Sequence, residues 1–164
     1  MTIYAFGYGS LINMPKNTEL KNYLQKKIYP VLVEGLKRTL NVHSKTGVNS
    51  RVFGVKDVKT ANCNGILFKV TAPEIDALIR REQLYTMKYI APERIAFPYG
   101  PKLKLKPTDQ IICFYPIAKY VLPKKSLSAY PVKPAYLNIC LEGAAQLGPE
   151  FFADFLDLTT GIEN

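Results

Sequence analysis

Histidine is almost missing from this 164-residue chain, His43 being its only one. A multi-histidine metal centre is therefore excluded, and no local spacing of other ligand types supports a zinc site. Cysteine is also scarce and odd in number. Cys63, Cys113 and Cys140 lie far apart without C-x-x-C spacing, so they are expected as free thiols in a reducing cytoplasm. No apolar run is long enough to cross a bilayer, and the opening Met1-Thr2-Ile3-Tyr4-Ala5-Phe6 lacks the basic and apolar regions of a signal peptide. The expectation is a cytoplasmic protein without a membrane partner. Internal repeats and low-complexity tracts are absent as well.

Acidic residues are the remaining shortage, 13 against 22 Lys and Arg, which leaves a net charge of +9. Such a surplus serves either a nucleic-acid partner or a solvated surface that keeps a small protein soluble. The charges are dispersed, which favours the surface. The densest stretch, Lys102-Leu103-Lys104-Leu105-Lys106, alternates as an exposed edge strand would, with lysines guarding the edge. No aromatic interleaves these lysines, so the stacking rings of a single-strand binder are lacking. Nucleic acid is not the expected partner.

What is present is core material: 48% apolar residues, eleven Tyr and eight Phe. A chain of this length fits a single domain, residues 1–164, burying roughly 70% of its unfolded surface, enough for a core with a pocket. A first strand is predicted over residues 2–7, with Ile3 and Ala5 alternating against Tyr4 and Phe6. A polar helix is predicted over 17–27 and further strands over 29–40, 51–56, 64–70, 85–97 and 110–121. Residues 98–107 read as an excursion between strands. Strand and helix do not alternate. The pattern predicts an α+β fold in which a small mixed or antiparallel sheet, curled towards a barrel, packs a few helices.

One helix is legible in detail. Thr71 followed by Glu74 fits a capping box, so the helix starts near Ala72. Ile75, Leu78, Ile79 and Glu82 then fall at i, i+3, i+4 and i+7, which puts Glu82 on the apolar stripe while Arg80 and Arg81 face water. A carboxylate so placed has no intrahelical cation and meets the negative end of the helix dipole, and burial raises its pKa. The bland alternative is a frayed last turn with Glu82 in solvent.

The loop Phe6-Gly7-Tyr8-Gly9-Ser10-Leu11 follows the first strand. Glycines there permit positive φ and close approach of a ligand, so successive N–H groups can form an anion nest. A plain structural turn explains the same residues, and neither G-x-x-x-x-G-K-[ST] nor G-x-G-x-x-G is completed. Ser10 as a nucleophile needs a base, and only His43, in an Asn41-Val42-His43-Ser44 loop that reads as surface, is available.

Taken in order, Phe6-Gly7-Tyr8-Gly9-Ser10-Leu11, Asn64-Gly65-Ile66-Leu67-Phe68, Arg81-Glu82 with Tyr85, and Tyr136-Leu137 leading to Glu142-Gly143-Ala144 span almost the whole chain. This series resembles the gamma-glutamylcyclotransferase-like family. The resemblance implies a small barrel-like α+β fold in which Tyr8, Gly9, Ser10 and Leu11 hold substrate and Glu82 acts as acid and base. Tyr85 and Tyr136 match family tyrosines that line the pocket or simply pack. Gln83-Leu84 stands where relatives often carry a glycine-bearing loop, so the leaving-group side differs.

The reaction so implied closes a gamma-glutamyl compound into 5-oxoproline and expels an amine or amino acid. It needs an attack geometry and one mobile proton, and no metal or organic cofactor. Two alternatives stay open: a non-catalytic ligand-binding member of the fold, and a basic nucleic-acid-associated protein. The leaving group, whether that of glutathione, a gamma-glutamyl amino acid, a gamma-glutamylamine or a biosynthetic intermediate, is not identified, nor is the oligomeric state.

Overall fold

In the computed structural model, residues 1–17, 26–45 and 49–160 are described. Most of the helix predicted over 17–27 lies outside them. The elements are β1 (Ile3–Gly7), β2 (Tyr29–Ser44), β3 (Ser50–Lys69), α1 (Ala72–Arg81), β4 (Tyr85–Ile90), β5 (Ile95–Ala96), β6 (Gln110–Pro116), α2 (Pro134–Gln146), α3 (Pro149–Asp157) and β7 (Thr159–Thr160). Among the described residues seven strands form one mixed sheet in the order β4-β6-β1-β3-β2-β5, with β7 added beside β2. The α+β fold with a curled mixed sheet agrees with the sequence prediction.

β1 lies inside the sheet, antiparallel to β3 and parallel to β6. Its alternation buries both faces, because successive side chains leave a strand on opposite sides. Tyr4 and Phe6 enter the larger core with Phe151 and Phe155 of α3 and Cys140 and Ala144 of α2. Ala5 enters the smaller one with Ile66, Phe68 and Leu78 of α1, with Ile3 packed against it.

Several predicted boundaries change. The strands expected over 51–56 and 64–70 are one strand, β3, whose register with β2 jumps from Glu34↔Asn62 to Leu36↔Asp57. Residues 58–61 bulge outward opposite Gly35, whose φ of 76° is the left-handed conformation that suits glycine. The strand expected over 85–97 is broken by a 3-10 turn at Pro92–Arg94, where proline withholds a ladder donor. The strand expected over 110–121 ends at Pro116. Lys102, Lys104 and Lys106 are exposed while Leu103 and Leu105 pack on the core, yet this segment belongs to no strand. The Lys-Leu alternation therefore marks an extended strap over the core, not a sheet edge. His43 lies within β2, not in a loop.

The fold gathers three strand ends at one place. β1 and β6 run parallel and finish side by side, and Tyr85 at the start of β4 opposes Pro116 at the end of β6. The loop after β1 and the turn joining α1 to β4 must therefore meet.

Candidate active site

The loop after β1 is a 3-10 turn, Ser10–Ile12, with Gly9 at its N-cap. The turn bonds Ile12 N–H to Gly9 O and Asn13 N–H to Ser10 O, so the N–H groups of Ser10 and Leu11 serve no bond of the turn itself. Gly7 and Gly9 are not among the positive-φ glycines, which are Gly35, Gly100 and Gly148. What Gly9 supplies is room. A Cβ built there stands 3.3 Å from Tyr136 Oη and 3.4 Å from Phe53 Cβ. From below, Gly143 of α2 lets the helix touch the loop's exit, since a Cβ there meets Asn13 backbone N at 2.7 Å.

Behind the loop sits Arg38, a fully buried guanidinium of β2. It donates to Tyr8 O at 2.9 Å, to Asn64 O, to Asn64 Oδ1 at 2.7 Å, to Phe155 O at 3.3 Å and to Thr159 Oγ1 at 2.9 Å. Its Cζ lies 4.0 Å from the Phe155 ring centroid. A cation out of water is costly unless its donors are satisfied, and here carbonyls and an amide do this in place of a carboxylate.

Helix α1 begins as predicted: Thr71 accepts from Glu74 N–H and Glu74 reaches back to Thr71 N–H. Its end departs from prediction. The helix stops at Arg81, and Glu82 is the C-cap, with φ −97° and ψ 58°. Leu78 is fully buried, but Ile79 is 45% exposed, so the expected stripe narrows before it reaches Glu82. The non-helical backbone at Glu82, not the 3.6-residue period, aims its side chain inward. Arg81 does not face water alone. One guanidinium nitrogen pairs with Glu82 Oε1 at 3.0 Å and the other donates to Ser10 Oγ at 2.8 Å. The expectation of a carboxylate without a helical cation is thus corrected: the last residue of the helix, Arg81, supplies one.

Tyr8, Gly9, Ser10, Leu11, Glu82, Tyr85 and Tyr136 all line one inner chamber of about 40 Å³, completed by Phe6, Phe53 and Phe114. An outer chamber of about 450 Å³ shares Ser10, Glu82, Tyr85 and Tyr136 with it and adds Lys45, Arg81 and Tyr120 among others. His43 borders neither chamber; its ring packs on Tyr130 at 4.7 Å and its Nε2 stands 3.4 Å from Asn49 Oδ1. The Ser10–His43 pairing weighed from sequence has no geometry here.

Three tyrosine hydroxyls border the inner chamber. Tyr8 Oη donates to Phe114 O at 2.6 Å. Tyr85 Oη donates to Phe53 O at 2.5 Å, and Tyr136 Oη accepts from Phe53 N–H at 3.1 Å, so two tyrosines grip one residue of β3. Burial pushes all three hydroxyls above the ordinary tyrosine range, and the charge of Glu82 adds to this at Tyr8 and Tyr85. They therefore stay protonated at neutral pH. Glu82 is the one carboxylate among the residues of the inner chamber and the group there suited to carry a proton. Among the described residues no cluster of three His, Cys, Asp or Glu side chains is disposed to hold a metal. Cys63, Cys113 and Cys140 are buried free thiols, and burial pushes the Cys140 thiol up to about 12.

Arg81 and Phe53 went unnoticed as site residues in the sequence. Arg81 was visible as the neighbour of Glu82, but its second partner, Ser10, lies 71 residues away. Phe53 carries no local signal, since its two backbone groups are engaged by tyrosines 32 and 83 residues away.

No family model matches the sequence, and no curated protein does. In three dimensions the chain has the gamma-glutamyl cyclotransferase-like fold. A solved gamma-glutamyl cyclotransferase superposes with a TM-score of 0.66 at 12% identity, over 96% of this chain and 88% of that one. YkqA from Bacillus subtilis gives 0.67 at 17% identity over 95% of this chain but 53% of its own, so this chain spans about half of YkqA. A gamma-glutamyl cyclotransferase specific to glutathione from yeast gives 0.55 at 12% identity, with 99% of both chains covered.

Proposed function

We propose that the protein is a gamma-glutamylcyclotransferase-type enzyme that closes a gamma-glutamyl compound into 5-oxoproline and releases an amine or amino acid. The observation that carries this reading is the meeting of one carboxylate, Glu82, with the Gly9-Ser10-Leu11 turn across a small chamber lined by protonated tyrosines. The fold shared with cyclotransferases supports it.

In the proposed mechanism the turn fixes the substrate's α-carboxylate through backbone N–H groups, which folds the glutamyl chain back on itself. Arg81, bonded to both Glu82 and Ser10, holds the acid and the turn in one arrangement. Glu82 takes a proton from the α-amine as its nitrogen attacks the γ-carbonyl carbon. A C–N bond forms and the carbonyl becomes a tetrahedral oxyanion. Glu82 then returns the proton to the leaving nitrogen as the γ-amide bond breaks. Proton and electron pairs balance without any added reagent. The two chambers share Ser10, Glu82, Tyr85 and Tyr136, and in this mechanism the leaving group departs into the outer one.

The test is a panel of gamma-glutamyl amino acids, peptides and amines, with 5-oxoproline followed by mass spectrometry. Release from at least one substrate, abolished in Glu82→Gln, is the expected result. A purified, folded protein that yields none from the whole panel overturns the reading.

A further inference from the structure

The outer chamber carries a feature that the cyclisation chemistry leaves unused. Lys45, the residue after β2, lines it together with Glu82 and Tyr85. Its ammonium bonds Tyr120 Oη at 2.7 Å and stands 4.3 Å from the centroid of the same ring. Lys119 places a second ammonium 5.1 Å from that centroid. Among the described residues neither lysine is paired with a carboxylate. An ammonium has three donors, and one is engaged by Tyr120. Two remain at the wall of a chamber whose polar lining otherwise offers hydroxyls, Gln83 and the Arg81–Glu82 pair.

Resting on the cyclisation reading, we propose that this chamber reads a carboxylate on the leaving group, with the Lys45 ammonium as its counter-charge and the Tyr120 ring as its floor. The preferred substrates are thus gamma-glutamyl amino acids or peptides, and not gamma-glutamylamines. The phenol is the resting partner of the ammonium. The Lys45 hydrogen bond, aided by Lys119, holds the Tyr120 hydroxyl below its ordinary value, the mark of a place that favours negative charge. A departing amine without a carboxylate meets the same Lys45 ammonium and gains nothing from it. An alkylammonium is repelled.

Two substrates that differ by one group test this: gamma-glutamylalanine and gamma-glutamylethylamide, the same leaving group with and without its carboxylate. The ratio of their kcat/KM values is expected to favour the alanine compound by about tenfold, the scale of one charge-assisted hydrogen bond. Lys45→Met should bring that ratio close to one, mainly through KM for gamma-glutamylalanine. Lys45→Arg should keep it above one. Lys45 is exposed, so its variants should fold, which thermal melts verify. Calorimetric binding of both compounds to the Glu82→Gln protein gives the same comparison without turnover. If neither compound yields 5-oxoproline, the wider substrate panel decides the cyclisation reading, and calorimetry still scores the carboxylate. Equal use or equal binding of the two compounds, or a Lys45→Met ratio unchanged from wild type, overturns the proposal.

Discussion

The two ends of α1 each hold a glutamate paired with a cation, and they behave as opposites. At the N-terminal end, Glu74 Oε1 accepts from Thr71 N–H and Thr71 Oγ1, both at 3.0 Å, and from Lys26 Nζ at 2.7 Å. At the C-terminal end, Glu82 Oε1 meets Arg81 at 3.0 Å. Both side chains are well shielded, 6% and 17% exposed. Neither an ion pair nor partial burial therefore separates a structural acid from the proposed proton carrier. The difference lies in what else surrounds the carboxylate. A cavity of about 330 Å³ does open beside Lys26 and Thr71, but Glu74 does not line it. Glu82 lines two chambers at once.

The largest expected effect breaks the comparison at the working end. Glu82→Gln should lower turnover by roughly 10²- to 10⁴-fold, the weight of a general acid-base group, while the melting temperature and substrate affinity stay close to wild type. Near wild-type turnover in this variant would falsify the assignment of Glu82 as proton carrier.

Next comes the cation. Removing Arg81 as Arg81→Leu frees Glu82 and Ser10 from a shared partner and should cost about ten- to a hundredfold in kcat/KM, the scale of one or two hydrogen bonds to a charged group. Removing Lys26 at the other end as Lys26→Met should leave kcat/KM alone. Equal losses from the two changes would mean that both ends of the helix act only through stability.

The chamber itself is probed by Gly9→Val. The side chain enters a space bounded by Tyr136 and Phe53 at 3.3–3.4 Å, so 5-oxoproline binding measured by calorimetry should weaken by about tenfold or more. Unchanged affinity in a folded variant places the anion elsewhere.

Glu74→Ala is expected to cost about 1–2 kcal/mol of stability, from the lost capping box and its charged partner, with activity per folded molecule preserved. The pH dependence is specific to this end. Burial raises the Glu74 carboxyl, but the Lys26 hydrogen bond and the two Thr71 donors outweigh it, and the net value lies below the ordinary one. Its contribution is thus complete above the unfolded value near pH 4.3 and is lost as pH falls through the lower folded value. Denaturant melts at pH 7 and at successively lower pH should show the gap between wild type and Glu74→Ala closing on the acid side. A gap that persists to the lowest pH refutes this.

The smallest effect is expected from Lys102→Ser, Lys104→Ser and Lys106→Ser combined. The three lysines are exposed on the strap and border neither chamber, so 5-oxoproline release should change less than twofold, as surface changes usually do. Salt-sensitive, sequence-selective binding of a short nucleic acid that disappears in this variant, without any cyclisation, would favour the nucleic-acid alternative.

Features set by near neighbours were readable in the chain. The Thr71–Glu74 cap, the two faces of β1 and the turn at Gly9 each depend on residues a few positions apart, and the structure has all three. Features set by distant partners were not. β3 runs unbroken through residues 57–62 because β2 pairs with it on either side of a bulge, and no window inside β3 contains that information. The Lys-Leu alternation at 102–106 has the right period for a strand, but no strand lies beside it. Arg81 was read as solvent-facing because it falls off the Ile75-Leu78-Ile79 stripe, yet its guanidinium bonds Glu82 and Ser10. Its partner Ser10 lies 71 residues away, and no local pattern announces that contact.

Arg38 sets the order in which the pocket comes into being. Its acceptors belong to residues 8, 64, 155 and 159, so the first strand can be synthesised and paired long before the support for its loop exists. Until α3 docks, the guanidinium must keep its water, and the interior beneath Tyr8 stays open to solvent. The support beneath Tyr8 therefore forms only with α3 in place, and in hydrogen exchange the amides around Tyr8 should open together with those of α3 and not with their neighbours in β1.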